Sequence, residues 1–475
     1  MLTSCNPKSE ILPIRSVLLA TLAGLLLTAC GNSATTESVP VSTQADASTV
    51  ASDATVLDLS NDILHPPAIG AAIPFPETGA DDTATPSPVI GAGEPQLTRL
   101  AGGFNSIAID AGGTTLAGGI PGYDLDEQAN TGAVMVRFRV EEQWWFDAML
   151  FADSNSEGAR LGHATAISSD GRTIAASAPE HQHNGESSGA VYIFERFGEG
   201  WQQTAELVAP SPMEFSRFGQ VIALHPQGET LYVSESLPTG RVHVFQKISS
   251  QWQYTQTLVS PNDAKTTFGS ALGVAENGVL AVSDLGNIYI YRTEGVSPDL
   301  WQTIAPPVDD SLDQTLWHRF GEAIAMSANG SNLLISGIEQ PLLSSTNQPL
   351  QDSVLHKSLV QSLVYQLDET GSWELTATLI PAGSHASDSV QSVAVSADGQ
   401  QILLGLNNVL SNDNQVSVMS KKTDYWVRTA VLTSPSTHAR DFGRTVAITA
   451  DGNRLLMTAS EREGGAVYEW LLPSE

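Results

Sequence analysis

From residue 94 onward, apolar and polar residues alternate in short runs that group in fours. The clearest group opens with Leu161-Gly162 and the run Ala164-Thr165-Ala166-Ile167, then turns at Asp170-Gly171. It returns over Thr173 to Ser177, crosses a polar loop, and runs from Gly189 to Phe194. A short glycine-containing turn then leads to Trp201 and a fourth run. Period-two alternation predicts half-buried strands, and Asp-Gly between two such runs is a two-residue hairpin signal. Each group therefore predicts four antiparallel strands.

The group recurs seven times. Its hairpin glycines are Gly113, Gly171, Gly228, Gly278, Gly330, Gly399 and Gly452, spaced 50 to 69 residues apart. The longest spacing contains an insertion between Ile338 and Leu363. A tryptophan opens the fourth strand in six groups: Trp145, Trp201, Trp252, Trp301, Trp373 and Trp426. These are read as packing between neighbouring units. Four strands per repeat at this period predict an all-β, seven-bladed β-propeller over residues 94–475. The seventh group stops after its third strand, at Ala466 to Trp470, and Pro95 to Leu100 precedes the first group. That N-terminal segment is expected to supply the missing strand of the last blade. Closure from opposite termini would cover two open sheet edges at once.

The first 93 residues read differently. Lys8 and Arg15 precede an apolar run from Ser16 to Leu27, of signal-peptide length and short for a bilayer span. It ends Leu27-Thr28-Ala29-Cys30-Gly31, which resembles the lipobox of bacterial lipoproteins. That resemblance implies a signal peptide over 1–29 and a lipid on Cys30, with Gly31 favouring the outer membrane. An ordinary cleaved signal is the alternative. Residues 30–93 are rich in Ser, Thr, Ala, Asp and Pro without hydrophobic period, the composition of a disordered tether. The expected location is the bacterial cell envelope, lipid-anchored at the outer membrane, periplasmic or surface-exposed.

Charge narrows the partners. Lys and Arg number 22 against 52 Asp and Glu, a net charge of -30. Phosphate binding needs a basic footprint, so nucleic acid is excluded, and contact with the membrane is expected through the lipid alone. The two cysteines, Cys5 and Cys30, leave no disulfide or thiolate metal site in the body of the protein.

The repeats resemble FG-GAP repeats, the blades of integrin-type propellers and many bacterial surface proteins. The Phe-Gly pair stands at Phe218-Gly219, Phe268-Gly269, Phe320-Gly321 and Phe442-Gly443, with Leu161-Gly162 a near match. Gly103-Phe104 and Ser389-Val390 are degenerate. The Gly-Ala-Pro element survives as Ser177-Ala178-Pro179 and Gly119-Ile120-Pro121. The family's calcium loops are not carried over. Here the corresponding stretch is a tight turn such as Ser169-Asp170-Gly171, and one carboxylate cannot fill a shell of six to eight oxygens.

No catalytic constellation is recognisable, so the chain is read as a non-enzyme without cofactor or metal. His181 and His183, near Glu180 and Glu186, are read as polar loop. Asp124-Leu125-Asp126-Glu127 lacks the glycine and distal glutamate of a calcium loop. Loops of variable length between second and third strands, long in blades 1, 2, 5 and 6 and short in blades 3 and 4, make the expected recognition rim: Asp124, Asp126, Glu180, His181, His183, Asp284, Glu339 and Glu461. The expected function is an envelope-anchored binding or scaffold module for a protein or glycan. The alternatives are a hydrolase or lyase acting on envelope polysaccharide, and a structural scaffold in outer-membrane assembly.

Overall fold

Seven sheets, each with four antiparallel strands at its heart, follow one another around a ring in the computed structural model. It describes residues 55–57 and 98–472, apart from 102, 155, 184–185, 263–266, 294–297, 308–313, 343–358, 383, 385–387, 408–413, 437–439 and 462–463. All belong to the unit Ser52–Glu475. Cys30 and the signal peptide lie outside the described residues, as does all of the 30–93 tether except Thr55–Leu57.

Blade 1 consists of Ser106–Ile109, Thr115–Ile120, Ala133–Val140 and Gln143–Leu150. Blades 2, 3, 4 and 6 repeat this order, beginning at Thr165, Ile222, Leu272 and Ser389. Blade 5 begins at Ile324 and carries an extra strand, Gln314–His318, beside the far end of its long second strand Asn332–Leu342. The first strands are neighbours from blade to blade, and that of blade 7 meets that of blade 1. They therefore line the axis and the ring is closed.

Burial explains why these segments form sheets. Second and third strands are buried along almost their whole length, as in Thr173–Ala178, whereas the outer strand Gly200–Leu207 alternates exposed and covered positions. Each blade thus has two apolar faces. Seven hydrophobic clusters result, one at each interface between neighbouring blades. On one strand, Leu231 and Val233 face blade 2 while Tyr232 faces blade 4.

The last blade closes as the sequence predicts. Thr98–Ala101 pairs antiparallel with Gly464–Leu471, outside Val446–Ile448 and Arg454–Glu461. Leu100, opposite Val467, is wholly buried. Thr55–Leu57, within the stretch read as tether, adds a short parallel strand outside Thr98–Ala101. The closing strand would otherwise present an unpaired edge there.

One register expectation needs correction. Arg196 lies opposite Trp201, Lys247 opposite Trp252 and Lys421 opposite Trp426. The matching pair in blade 1 is Arg139 and Trp144, not Trp145. Trp144 is buried at the seam with blade 7, and its indole N–H donates to Glu469 at 2.8 Å. Arg454 pairs with the same carboxylate and with Glu142 of blade 1. Burial pushes the Glu469 carboxyl above its ordinary range, and the Arg454 and Trp144 donors oppose that shift.

Candidate axial binding site

The two ends of the ring are built differently. One end holds the hairpins between first and second strands. In these turns a hydroxyl or carboxylate satisfies local backbone: Ser168 Oγ donates to Asp170 at 2.6 Å, and Ser396 Oγ to Asp398 at 2.6 Å. The turns also bond to each other. Ala111 N–H donates to the Ser169 carbonyl (3.2 Å), Ser169 to Pro226 (2.8 Å), Ala397 to Ala450 (3.1 Å) and Ala450 to Ala111 (3.2 Å). This end is a stitched belt of main chain. It holds a cleft of about 330 Å³ between blades 3 and 4, lined in part by His225, Gln227 and Glu276.

The other end is built from the Phe-Gly turns. In blade 3 the run is Arg217-Phe218-Gly219-Gln220. Gln220 N–H donates to the Arg217 carbonyl (3.1 Å) and Gly219 N–H to the Ser234 carbonyl (2.8 Å). Gly219 has φ 90°, as the third position of a type II turn requires. Phe218 is fully buried between blades 2 and 3. The same pair of bonds recurs around Leu161-Gly162, Phe268-Gly269, Phe320-Gly321 and Phe442-Gly443. The buried ring anchors each turn, and in blades 5 and 7 the residues before the pair, Arg319 and Asp441, reach the axial cavity as well as those after it.

Residues just after the motif therefore converge. Gln220, Ser270, Glu322 and Arg444 come from blades 3, 4, 5 and 7. Blade 6 has no Phe-Gly pair, but a register shift between Val390 and Ser392 pushes out Gln391, as a bulge re-aims a side chain. These five line one cavity of about 690 Å³, with Leu285, Arg319 and Asp441 at its edge. A space reached from five blades just before their innermost strands is the mouth of the axial channel. Blade 2 contributes His163, whose Nε2 lies 3.0 Å from Gln220 Nε2.

The charge of this mouth differs from that of the molecule. Arg160, Arg217 and Arg319 precede the motif, all exposed and all at positive φ between 56° and 61°. Arg160 pairs with Glu180 at 3.3 Å and Arg319 with Glu322 at 2.5 Å. Among the described residues, neither Arg217 nor Arg444 has a carboxylate within ion-pair distance. Burial lowers the His163 pKa, and the charges of Arg160, Arg444 and Arg217 lower it further. Burial and these guanidinium charges favour the neutral imidazole, and Glu180 opposes them.

The loop residues expected to form the rim differ in exposure. Asp124, Asp126 and Glu180 are exposed, and Asp124 accepts the Asn130 N–H at 2.7 Å. His183 is half-buried in a small hairpin, Gln182–His183 with Glu186–Ser187. His181 is not on the surface. It is buried, with Nδ1 3.2 Å from both Ser156 Oγ and Tyr192 Oη. Asp284 is also buried, accepting from Gly286 N (3.0 Å), Asn287 N (2.6 Å) and Tyr289 Oη (2.8 Å). Its carboxylate holds its own turn together. Glu339 is half-buried within a strand and accepts from Gln361 at 2.5 Å. Glu461 ends the strand Arg454–Glu461, and its side chain lies outside the described residues. Among the described residues, no three His, Cys, Asp or Glu side chains form a metal-holding group.

A hydroxyl–imidazole–carboxylate line that the sequence alone does not reveal occurs in blade 3. His243 Nδ1 lies 2.8 Å from Thr257 Oγ1, and His243 Nε2 lies 3.0 Å from Glu235. His243 and Glu235 are buried, and the Phe218 ring lies 5.6 Å from the imidazole. Packed this way, the line ties the second, third and fourth strands together.

No protein family model matches this chain, and no curated protein matches it. Solved structures do. A chain in "Crystal Structure of Mitotic Checkpoint Complex" is 14% identical, with a TM-score of 0.50, covering 82% of this chain and 98% of its own. The β-propeller domain of Myceliophteria thermophila Cps50 (Swd1) is 13% identical, with a TM-score of 0.48, covering 78% and 97%. A chain in "Kuenenia stuttgartiensis Hydrazine Synthase" is 11% identical, with a TM-score of 0.47, covering 77% and 95%. The chain is a β-propeller. At these identities the likeness speaks of fold alone, and a fold hosts many functions.

Proposed function

We propose that this chain is an envelope lipoprotein whose propeller is an interaction module of FG-GAP-type blades, with the Phe-Gly face as its binding face. The observation that carries the proposal is the convergence of five blades on one open mouth, opposite an end whose turns are bonded to one another. Concave sites fed by several rigid elements are where ligands bind. The recurrence of one Phe-Gly turn in register supports the FG-GAP kinship. The lipobox at Cys30 supports anchorage at the outer membrane, through a lipid that converts a soluble domain into a tethered one.

Two measurements test this. Cys30→Ala should move the protein from the membrane pellet to the soluble fraction. A variant that still pellets after a high-salt wash would contradict the lipid anchor. The released propeller should then retain partners from envelope extracts without converting envelope glycans. Turnover of a glycan by the purified protein would replace the binding module with an enzyme.

A further inference from the structure

We propose that the axial mouth binds an acidic peptide segment of a partner protein, seating a carboxylate against Arg444 in its lining and Arg217 on the adjoining blade 3 turn, beside His163. This rests on the reading of the Phe-Gly face as the binding face and adds the chemistry of what binds there. Three features of the mouth support it.

The first is the placement of the arginines. Three of the residues preceding a Phe-Gly or Leu-Gly pair are arginines held at positive φ, a conformation that glycine or asparagine adopts with less strain. The second is the lack of internal partners. A chain with net charge -30 has carboxylates to spare, yet among the described residues neither Arg217 nor Arg444 makes an ion pair, although Asp441 and Glu322 line the same cavity as Arg444. Guanidinium groups match carboxylates in two-pronged fashion, so two open ones favour an anion of that shape. The third is the lining. Gln220, Gln391 and Ser270 offer amides and a hydroxyl suited to peptide main chain, and among the described residues lining the cavity none is aromatic, so none offers a platform for a sugar. The lining balances Arg319 and Arg444 against Glu322 and Asp441, whereas the chain as a whole carries -30, so an acidic partner is repelled less at the mouth than by the molecule as a whole.

The test uses the full chain and fluorescein-labelled hexaglutamate, with hexaglutamine as the uncharged control. Fluorescence anisotropy should show hexaglutamate binding and hexaglutamine at least about tenfold weaker, as charge-assisted bonds require. The double variant Arg217→Ala, Arg444→Ala should lose about tenfold or more in affinity while keeping its melting temperature. Arg172→Ala, at the hairpin end, should change nothing. The His163 ring protons should titrate at higher pH with hexaglutamate bound, because an anion favours the imidazolium. Equal binding of the two peptides, or unchanged affinity in the double variant, would overturn the proposal. So would binding of polygalacturonate without hexaglutamate, which would make the ligand a uronate glycan. Photo-cross-linking from position 391 reports the face independently: a partner captured there that hexaglutamate does not displace overturns the carboxylate reading and leaves the binding face standing.

Discussion

The two ends of this propeller use the same repeat to opposite effect. At the hairpin end, polar side chains turn inward to their own backbone. Ser168, Ser396 and Thr449 each donate to an aspartate two residues on, and main-chain bonds link turn to turn. At the Phe-Gly end, the buried ring satisfies the packing and the residues flanking it are left over. They carry guanidinium, carboxylate, amide and hydroxyl groups into a shared space. A repeat that spends its polar groups on itself makes a frame. One that hides its apolar residue and releases its polar neighbours makes a surface.

If the frame and the surface are separate, substitutions should divide between loss of stability and loss of binding. The largest expected effect is on ring closure. A truncation starting at residue 102 should unfold at markedly lower temperature than one starting at residue 95. It would lose the Thr98–Ala101 pairing and the burial of Leu100, together about 5 kcal/mol from about 1 kcal/mol per backbone bond and about 2 for the side chain. Arg454→Ala should cost about 3–5 kcal/mol in chemical denaturation, because Glu469 would be left buried without its cation. Gly228→Ala should cost about 1–2 kcal/mol, since φ is 75° and a Cβ would meet Ser168 Cβ at 3.0 Å. A smaller effect is expected on acidification. Burial lowers the pKa of His163, His181 and His225 from the ordinary 6.5. The unfolded chain therefore takes up protons first, so stability is fully present above pH 6.5 and declines as pH falls below it. Melting temperatures between pH 7 and pH 5 check this, and His181→Gln should flatten the decline. The smallest effect on stability should come from Arg217→Ala, within about 0.5 kcal/mol, because that side chain is exposed.

Much of the frame is legible in the chain's own pattern of residues. All seven hairpin glycines have positive φ, between 64° and 78°, because Asp-Gly and its relatives demand that conformation wherever they join two alternating runs. The closing strand is legible because a seventh group short of one strand and a strand-like segment ahead of the first group imply each other. The tryptophan of blade 1 is not. Trp144 and Trp145 are adjacent, and only the pairing of Arg139 with Trp144 says which one faces the neighbouring blade. A one-residue slip exchanges the two faces of a strand. The expected rim fails at His181 and Asp284 because polarity alone does not reveal a side chain bonded to its own turn. The mouth is hard to read because its residues are spread from Arg160 to Arg444. A signal does exist: Arg217-Phe218-Gly219, Arg319-Phe320-Gly321 and Arg160-Leu161-Gly162 set an arginine at one repeat position.

The separation of frame from surface is tested most directly by placing one photo-cross-linking residue at Gln391 and, in a second protein, at Gln227. Both positions are exposed, the first at the axial mouth and the second at the hairpin end. In intact envelopes position 391 should give a discrete protein adduct, competed by hexaglutamate, and position 227 none. Adducts from position 227 alone, or equally from both, would contradict that separation.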